Sequence, residues 1–316
     1  MAHPNVALIK YWGKRESQAN LPAVGSLSVT LGALRTETTV NFDPALTSDL
    51  LVLNGTEQPT EQPRLTACMD ALRALAGLGL YARVESENDF PTGAGLASSA
   101  SGYAALVTAA AAALGIDADD PRLFDIARIG SGSAPRSLIG GMAVLRNAGD
   151  STQCEQVIAP EDWALSVIAA VTTEAAKTTT SRDGMEQSRR TSPYYDAWIA
   201  THETDLDLAI EYVRERNFMA LAELSEHNCL KMHAVMMTTR PPLFYWSPAT
   251  LAVIRRIAEM RDGGMPVFFT VDAGPQVKAV CETGVAEAVA AELAAIPGVL
   301  RLISGELGYA SRVVAT

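Results

Sequence analysis

Hydrophobic and polar positions along the chain fall into two periodicities. Residues 6–11, 26–31, 37–42 and 81–86 have the look of extended segments, whereas 61–76 and 97–114 place apolar residues at helical spacing. The longest apolar run, 103–115, is rich in alanine and shorter than the roughly 18 residues of a membrane span, so it reads as a buried helix. A strand at 165–171 is followed by a polar stretch, 172–192, with Thr-Thr-Thr, Asp-Gly and Arg-Arg, which reads as a boundary or functional loop. Helical patterns follow at 194–215, 218–237 and 248–260, then a strand at 266–271, a helix at 285–295 and a strand at 299–303. The first half is thus a layered mixture of strands and helices, and the second half is helices over a small sheet, an α+β arrangement.

Composition narrows the class of protein. A chain of 316 residues, 48% hydrophobic and 19% charged, with no low-complexity tract or internal period, is globular and long enough for two domains. The opening MAHPNVALIK has neither the basic region nor the apolar core of a secretory signal, and the carboxyl terminus has no lipidation box, so a cytoplasmic location away from membranes is expected. Cys68, Cys154, Cys229 and Cys281 lie far apart and are expected to be reduced, packed thiols. His227 and His233, six residues apart on a helical pattern, point in different directions and do not suggest a metal pair. The net charge of −11 argues against nucleic acid and anionic membranes as partners. It also means that a polyanionic small molecule would need locally gathered cations.

Several such places exist. Pro91 to Ser101 contains Gly93 and Gly95 and three serines, Ser98, Ser99 and Ser101, before a long helix, which suits a phosphate cradle at a helix start but equally a flexible turn with a serine cap. It is neither a Walker A loop nor a dinucleotide fingerprint. Lys10-Tyr11-Trp12-Gly13-Lys14-Arg15 follows an apolar strand, so Tyr11 and Lys14 can reach a phosphate oxygen. In the turn-rich segment 128–141, Arg136 can clamp a carboxylate or phosphate, with Ser131, Gly132 and Ser133 beside it. Lys177, Arg182, Arg189 and Arg190 lie in the polar stretch, as a lid or a solvated loop. Asp272 ends an apolar strand before Ala273, Gly274 and Pro275. It is either an Asx-turn residue or a catalytic carboxylate able to align a hydroxyl for attack on a phosphoryl group.

In order and wording these segments resemble the mevalonate diphosphate decarboxylases of the GHMP kinase superfamily. NVALIKYWGK at 5–14 resembles the family's opening signature, and 91–101 its P-x-x-x-G-L-x-S-S-A loop. Arg128 to Ser137, Arg189 with Thr191 and Ser192, Met232 with His233, and Asp272 to Pro275 follow in the family's order. The resemblance implies a two-domain α+β fold, residues 1–182 being like ribosomal protein S5 domain 2 and residues 183–316 ferredoxin-like, with the site between them. It implies that Tyr11, Lys14, Ser131, Gly132, Ser133, Arg136 and Arg189 hold the substrate, with Asp272, Arg136 and Lys14 catalytic. Gly93, Gly95, Ser98, Ser99, Ser101 and Lys177 would serve ATP, with Mg2+ accompanying it.

The implied reaction is ATP-dependent conversion of mevalonate 5-diphosphate to isopentenyl diphosphate, ADP, phosphate and CO2 through a 3-phosphorylated intermediate, in a cytoplasmic homodimer. Decarboxylation of mevalonate 5-phosphate, or a GHMP-type kinase without decarboxylation, are the alternatives. One departure stands out: where the family reads Leu-Pro-x-Asn, this chain reads Leu21-Pro22-Ala23-Val24-Gly25. Val24 is therefore expected to alter a pocket wall or a strand-end hydrogen bond.

Overall fold

The computed structural model describes residues 1–16, 20–90, 95–175 and 179–314. The amino-terminal half runs β1 (Asn5–Ile9), β2 (Lys14–Glu16), β3 (Leu21–Pro22), β4 (Ser26–Thr30), β5 (Thr36–Phe42), β6 (Leu50–Leu53), β7 (Thr56–Glu57), α1 (Gln62–Ala76), β8 (Ala82–Asn88), α2 (Ser98–Ala113), α3 (Arg122–Gly130), α4 (Ala134–Ser137), β9 (Met142–Ala148) and β10 (Ser151–Ile158). The remainder runs β11 (Leu165–Val171), α5 (Ser181–Thr191), α6 (Tyr195–Arg214), α7 (Phe218–Met237), α8 (Pro248–Asp262), β12 (Val267–Val271), β13 (Val277–Glu282), α9 (Ala286–Ala294) and β14 (Arg301–Glu306). No helix among the described residues is long and apolar enough to cross a membrane.

Three four-stranded sheets organise these elements, in the orders β1-β4-β9-β10, β5-β8-β6-β7 and β12-β13-β11-β14. Strand periodicity explains how the first and third meet. Val6 and Leu8 of β1, Leu27 and Val29 of β4, Val167 and Ala169 of β11, and Phe268 of β12 share one apolar core. The intervening Ile168, Ala170, Val267 and Phe269 join α8 and α9 in another core on the far face of the third sheet. Period-two alternation thus serves both faces of one sheet. A further core packs α1, α2 and α3 over Ala82 and Val84 of β8.

Two expectations are revised. The polar stretch 172–192 contains a helix, α5, because Thr180 caps it by accepting from the Asp183 amide and every third or fourth residue, Gly184, Met185 and Ser188, turns inward. The segment at 128–141 is less turn-like than its composition suggests, since Arg128 lies in the last turn of α3 and Arg136 sits on α4. Strand β11 hydrogen-bonds on both sides, to β13 and β14.

Candidate active site

A cavity of about 550 Å³ opens between the two halves, lined by residues from the ends of β1 and β12, the start of α2, the α3–α4 turn and the first turn of α5. Strand β1 meets β12 across the shared core, where the Thr270 hydroxyl donates to the Ala7 carbonyl at 3.0 Å. This contact aligns the two strand ends, so the residues just beyond them, Lys10 and Asp272, come together. The Lys10 Nζ donates to Asp272 Oδ1 at 2.7 Å, and the Lys10 side chain is fully buried. A second ammonium, that of Lys278 on β13, lies 3.9 Å from Asp272 Oδ2 and donates to the Gly95 carbonyl at 2.8 Å. Burial by itself would raise the Asp272 pKa, but the charges of Lys10, Lys278 and Arg136 outweigh it and hold the carboxyl below its ordinary value. Asp272 is therefore an ionised carboxylate, able to accept a hydrogen bond from a hydroxyl.

Arg136 is a buried cation bonded to neutral acceptors. Its guanidinium donates to Ser26 Oγ and, at 3.2 and 3.3 Å, to Asn5 Oδ1. Asn5 is itself fixed, because its amide donates to Ser137 Oγ at 2.7 Å and to the Ser133 carbonyl. Among the described residues Arg136 has no carboxylate within ion-pair distance. Burying such a charge costs several kcal/mol unless an anion compensates it. The arrangement favours an anionic ligand, and the face of Tyr11, 6.0 Å from the guanidinium carbon, closes the other side. The Tyr11 hydroxyl is buried without a partner among the described residues, and burial pushes its pKa up to about 12. It remains a neutral donor.

A third group of cations lies around Lys14. Burial, followed by the charges of Arg182 and Arg64, lowers the Lys14 pKa to about 8. All three side chains line the cavity. The serines form a chain between the two halves of the cradle, Ser99 Oγ to Ser131 Oγ at 3.2 Å and Ser131 Oγ to Ser133 Oγ at 3.4 Å. Helix α2 begins after Ala97, which has a left-handed backbone (φ 57°) and supplies no side-chain cap. The positive end of the helix dipole therefore meets the cavity, which Ala97, Ser98 and Ser99 line.

The structure thus brings Tyr11, Lys14, Gly95, Ser98, Ser99, Ser131, Gly132, Ser133, Arg136 and Asp272 to one cavity. Two expected residues are elsewhere. Ser101 is fully buried one turn into α2, where its hydroxyl meets Thr36 Oγ1 at 2.6 Å, and it does not line the cavity. Arg189 is half exposed on α5, paired with Glu186 at 2.7 Å, and is not among the cavity residues. Gly93 and Lys177 lie outside the described residues. Val24 does not line the cavity either. It is buried with Trp12, Met185 and Trp198, so the apolar side chain fits an apolar setting beneath the wall.

Sequence reasoning missed Lys10, Lys278, Asn5, Asn20, Arg64 and Arg182 as site residues. Lys10 and Arg182 stood within the basic clusters and Asn5 opened the resembling signature. Lys278 and Arg64 carried no local signal, because each is delivered from a different element by packing.

Residues 2–157 match the family described as diphosphomevalonate decarboxylase-like N-terminal domain, and residues 167–297 the mevalonate 5-diphosphate decarboxylase C-terminal domain. A diphosphomevalonate decarboxylase of Ganoderma lucidum is 38% identical over 301 residues, spanning 86% of this chain and 74% of that protein. A phosphomevalonate decarboxylase of Haloferax volcanii is 33% identical over 280 residues, spanning 87% and 85%. A solved structure of MDDEF in complex with MVAPP, AMPPCP and magnesium superposes with a TM-score of 0.88 at 38% identity, covering 98% of this chain and 96% of that one. By its similarity over most of its length and its two matched domains, the chain belongs to the diphosphomevalonate decarboxylase family.

Proposed function

We propose that this chain decarboxylates mevalonate 5-diphosphate at the expense of ATP, giving isopentenyl diphosphate, ADP, phosphate and CO2. The observation that carries the reading is the buried Arg136 held by neutral Asn5 and Ser26 beside an Asp272 kept ionised by Lys10 and Lys278. The cations divide into two groups, one around Lys14 and one around Asp272. Lys14 is influenced by Arg182 and Arg64, whereas Asp272 is influenced by Lys10, Lys278 and Arg136. The first group suits the diphosphate, and the second suits the end of the substrate with the hydroxyl and carboxylate.

Hydroxide is a poor leaving group. The 3-hydroxyl oxygen, aligned by Asp272, attacks the γ-phosphorus as the P–O bond to ADP breaks, its proton passes to the Asp272 carboxylate, and neighbouring cations offset the developing charge. The C–O bond to phosphate then breaks, the C–C bond to the carboxylate breaks with it, and the released electron pair forms the alkene as CO2 departs. Arg136 positions the carboxylate for this step. Gly95, Ser98 and Ser99 line the side where the nucleotide phosphates fit; Gly93 and Lys177 belong to the same assignment. No cluster of three His, Cys, Asp or Glu side chains able to hold a metal occurs among the described residues. The donor set of serine hydroxyls fits a Mg2+ carried mainly by the nucleotide phosphates, whose charge it would offset.

A second reading, action on mevalonate 5-phosphate, is favoured by the likeness to the Haloferax protein. We also place the domain division between β10 and β11, supported by the pairing of β11 with β13 and β14. A cytoplasmic homodimer accompanies the reading on the strength of family resemblance, and light scattering on the purified protein tests the dimer. The test of function is an assay with ATP and magnesium on each substrate, following ADP, phosphate and CO2. Equal release of all three from the diphosphate is expected. Release only from the monophosphate selects the second reading, and ADP without CO2 from either leaves a kinase. In Asp272→Asn, release should fall by about 10²- to 10⁴-fold while the protein stays folded.

A further inference from the structure

Asn20 is buried, with 2% of its surface exposed, and has a left-handed backbone (φ 52°), a conformation that asparagine tolerates better than most side chains. Its amide nitrogen donates to the carbonyls of Ile129 at 2.8 Å and Arg128 at 3.1 Å, at the end of α3. Those two bonds fix the orientation of the amide, and its Oδ1 is left facing two cations. The Lys14 ammonium donates to it, and Arg182 Nη2 reaches it at 3.4 Å from the first turn of α5. One neutral carbonyl oxygen therefore bridges two cations that repel each other, and both cations line the cavity with Asn20. A phosphate oxygen is the other acceptor with the geometry to take both donors.

We propose that Asn20 is a positioning residue for the substrate's phosphate end: its Oδ1 sets the spacing of Lys14 and Arg182 and yields to a phosphate oxygen when the diphosphate enters. The assignment of a diphosphate to this end rests on the function proposed above. A neutral amide suits the role. A carboxylate here would hold the cations too firmly and compete with phosphate, and an apolar side chain would leave them without a bridge. The charged groups acting on Lys14 are Arg182 and Asp183 of α5, Arg64 of α1 and Glu16 of β2. Asn20 adds no charge to that set, so it holds Lys14 in place without neutralising it.

Three variants, Asn20→Leu, Asn20→Asp and Asn20→Ser, test this with mevalonate 5-diphosphate, mevalonate 5-phosphate and ATP as kinetic probes and inorganic pyrophosphate as a calorimetric one. Asn20→Leu is expected to raise KM for the diphosphate about tenfold, leave kcat and the KM for ATP within about twofold, and move the alkaline limb of kcat/KM to lower pH. Asn20→Asp should also raise that KM but move the limb to higher pH, because a carboxylate favours the Lys14 ammonium. In a Lys14→Met background, Asn20→Leu should have little further effect, since the Lys14–Arg182 spacing that it sets is already lost. Asn20→Ser shortens the side chain and withdraws the acceptor, and it carries the test if the larger changes do not accumulate as folded protein. The proposal is overturned by an unchanged KM for the diphosphate, by equal losses for ATP and the diphosphate, or by additive effects with Lys14→Met. If the unmodified protein releases no CO2 from either substrate, the functional reading fails. Pyrophosphate affinity then decides the role of Asn20 independently, supporting it if weakened about tenfold in the variants and refuting it if unchanged.

Discussion

The Lys10 ammonium and the Asp272 carboxylate form a 2.7 Å ion pair although 262 positions separate them in the chain. Lys10 is fully buried, whereas the Asp272 side chain is 28% exposed toward the cavity. One partner is thus enclosed by the protein, and the other faces the cavity.

Replacing that support should change the acid limb of the reaction. In Lys10→Met the carboxyl loses its nearest cation while remaining in a desolvating site, so its pKa rises. The pH below which kcat declines should then move upward, and kcat at pH 7 should fall about 10- to 100-fold. A kcat–pH profile that keeps the wild-type acid limb would show that Lys10 does not set the state of Asp272.

Lys14 gives the alkaline limb. With its pKa lowered to about 8, it is a cation below that pH and neutral above it. Affinity for the phosphorylated substrate should therefore decline as pH rises through 8, about two units before an ordinary lysine would titrate. Lys14→Arg stays charged throughout and should lose this limb. Substrate KM between pH 6.5 and 10 measures both.

Gly132 tests packing at the cradle. A Cβ there would come within 2.3 Å of the Tyr11 hydroxyl oxygen, closer than any real contact. Gly132→Ala must displace Tyr11 from its place beside Arg136. A fall in kcat/KM of about tenfold or more is expected with little change in melting temperature, read by steady-state kinetics and thermal unfolding.

Two histidines set acid sensitivity. Burial lowers His202 to about 4 and His233 to about 3, against which backbone hydrogen bonds to Gly25 and Val271 act only weakly. Both are neutral in the folded protein, and the unfolded chain binds more protons below pH 6.5. Their contribution is complete above pH 6.5 and is lost progressively as pH falls from there toward the folded values, each costing about 2 kcal/mol by pH 5. Urea unfolding at pH 7 and pH 5 checks this. An unchanged midpoint would mean that another group compensates.

The amino-acid order alone determined β1, β12 and α2, which frame part of the site, but not α5, which it presented as a polar loop. Alternation in β4 and the helical spacing in α6 and α7 are local properties of period, and period is fixed by backbone geometry. The glycine and serine cradle, the Arg136 segment and Asp272 were legible for a similar reason, because each joins chemically capable residues to a turn. What the chain could not disclose locally was which faces meet. Ser98, Ser99 and Ser101 look equivalent in sequence, yet one turn of helix carries Ser101 into the contact with Thr36 and away from the cavity. Arg189 looks as available as Arg182, yet α5 presents Arg182 to the cavity and leaves Arg189 half exposed with Glu186. Lys10, Lys278 and Asn20 acquire roles only when β1, β13 and α3 are packed together, because desolvation and charge pairing depend on distance in space rather than along the chain.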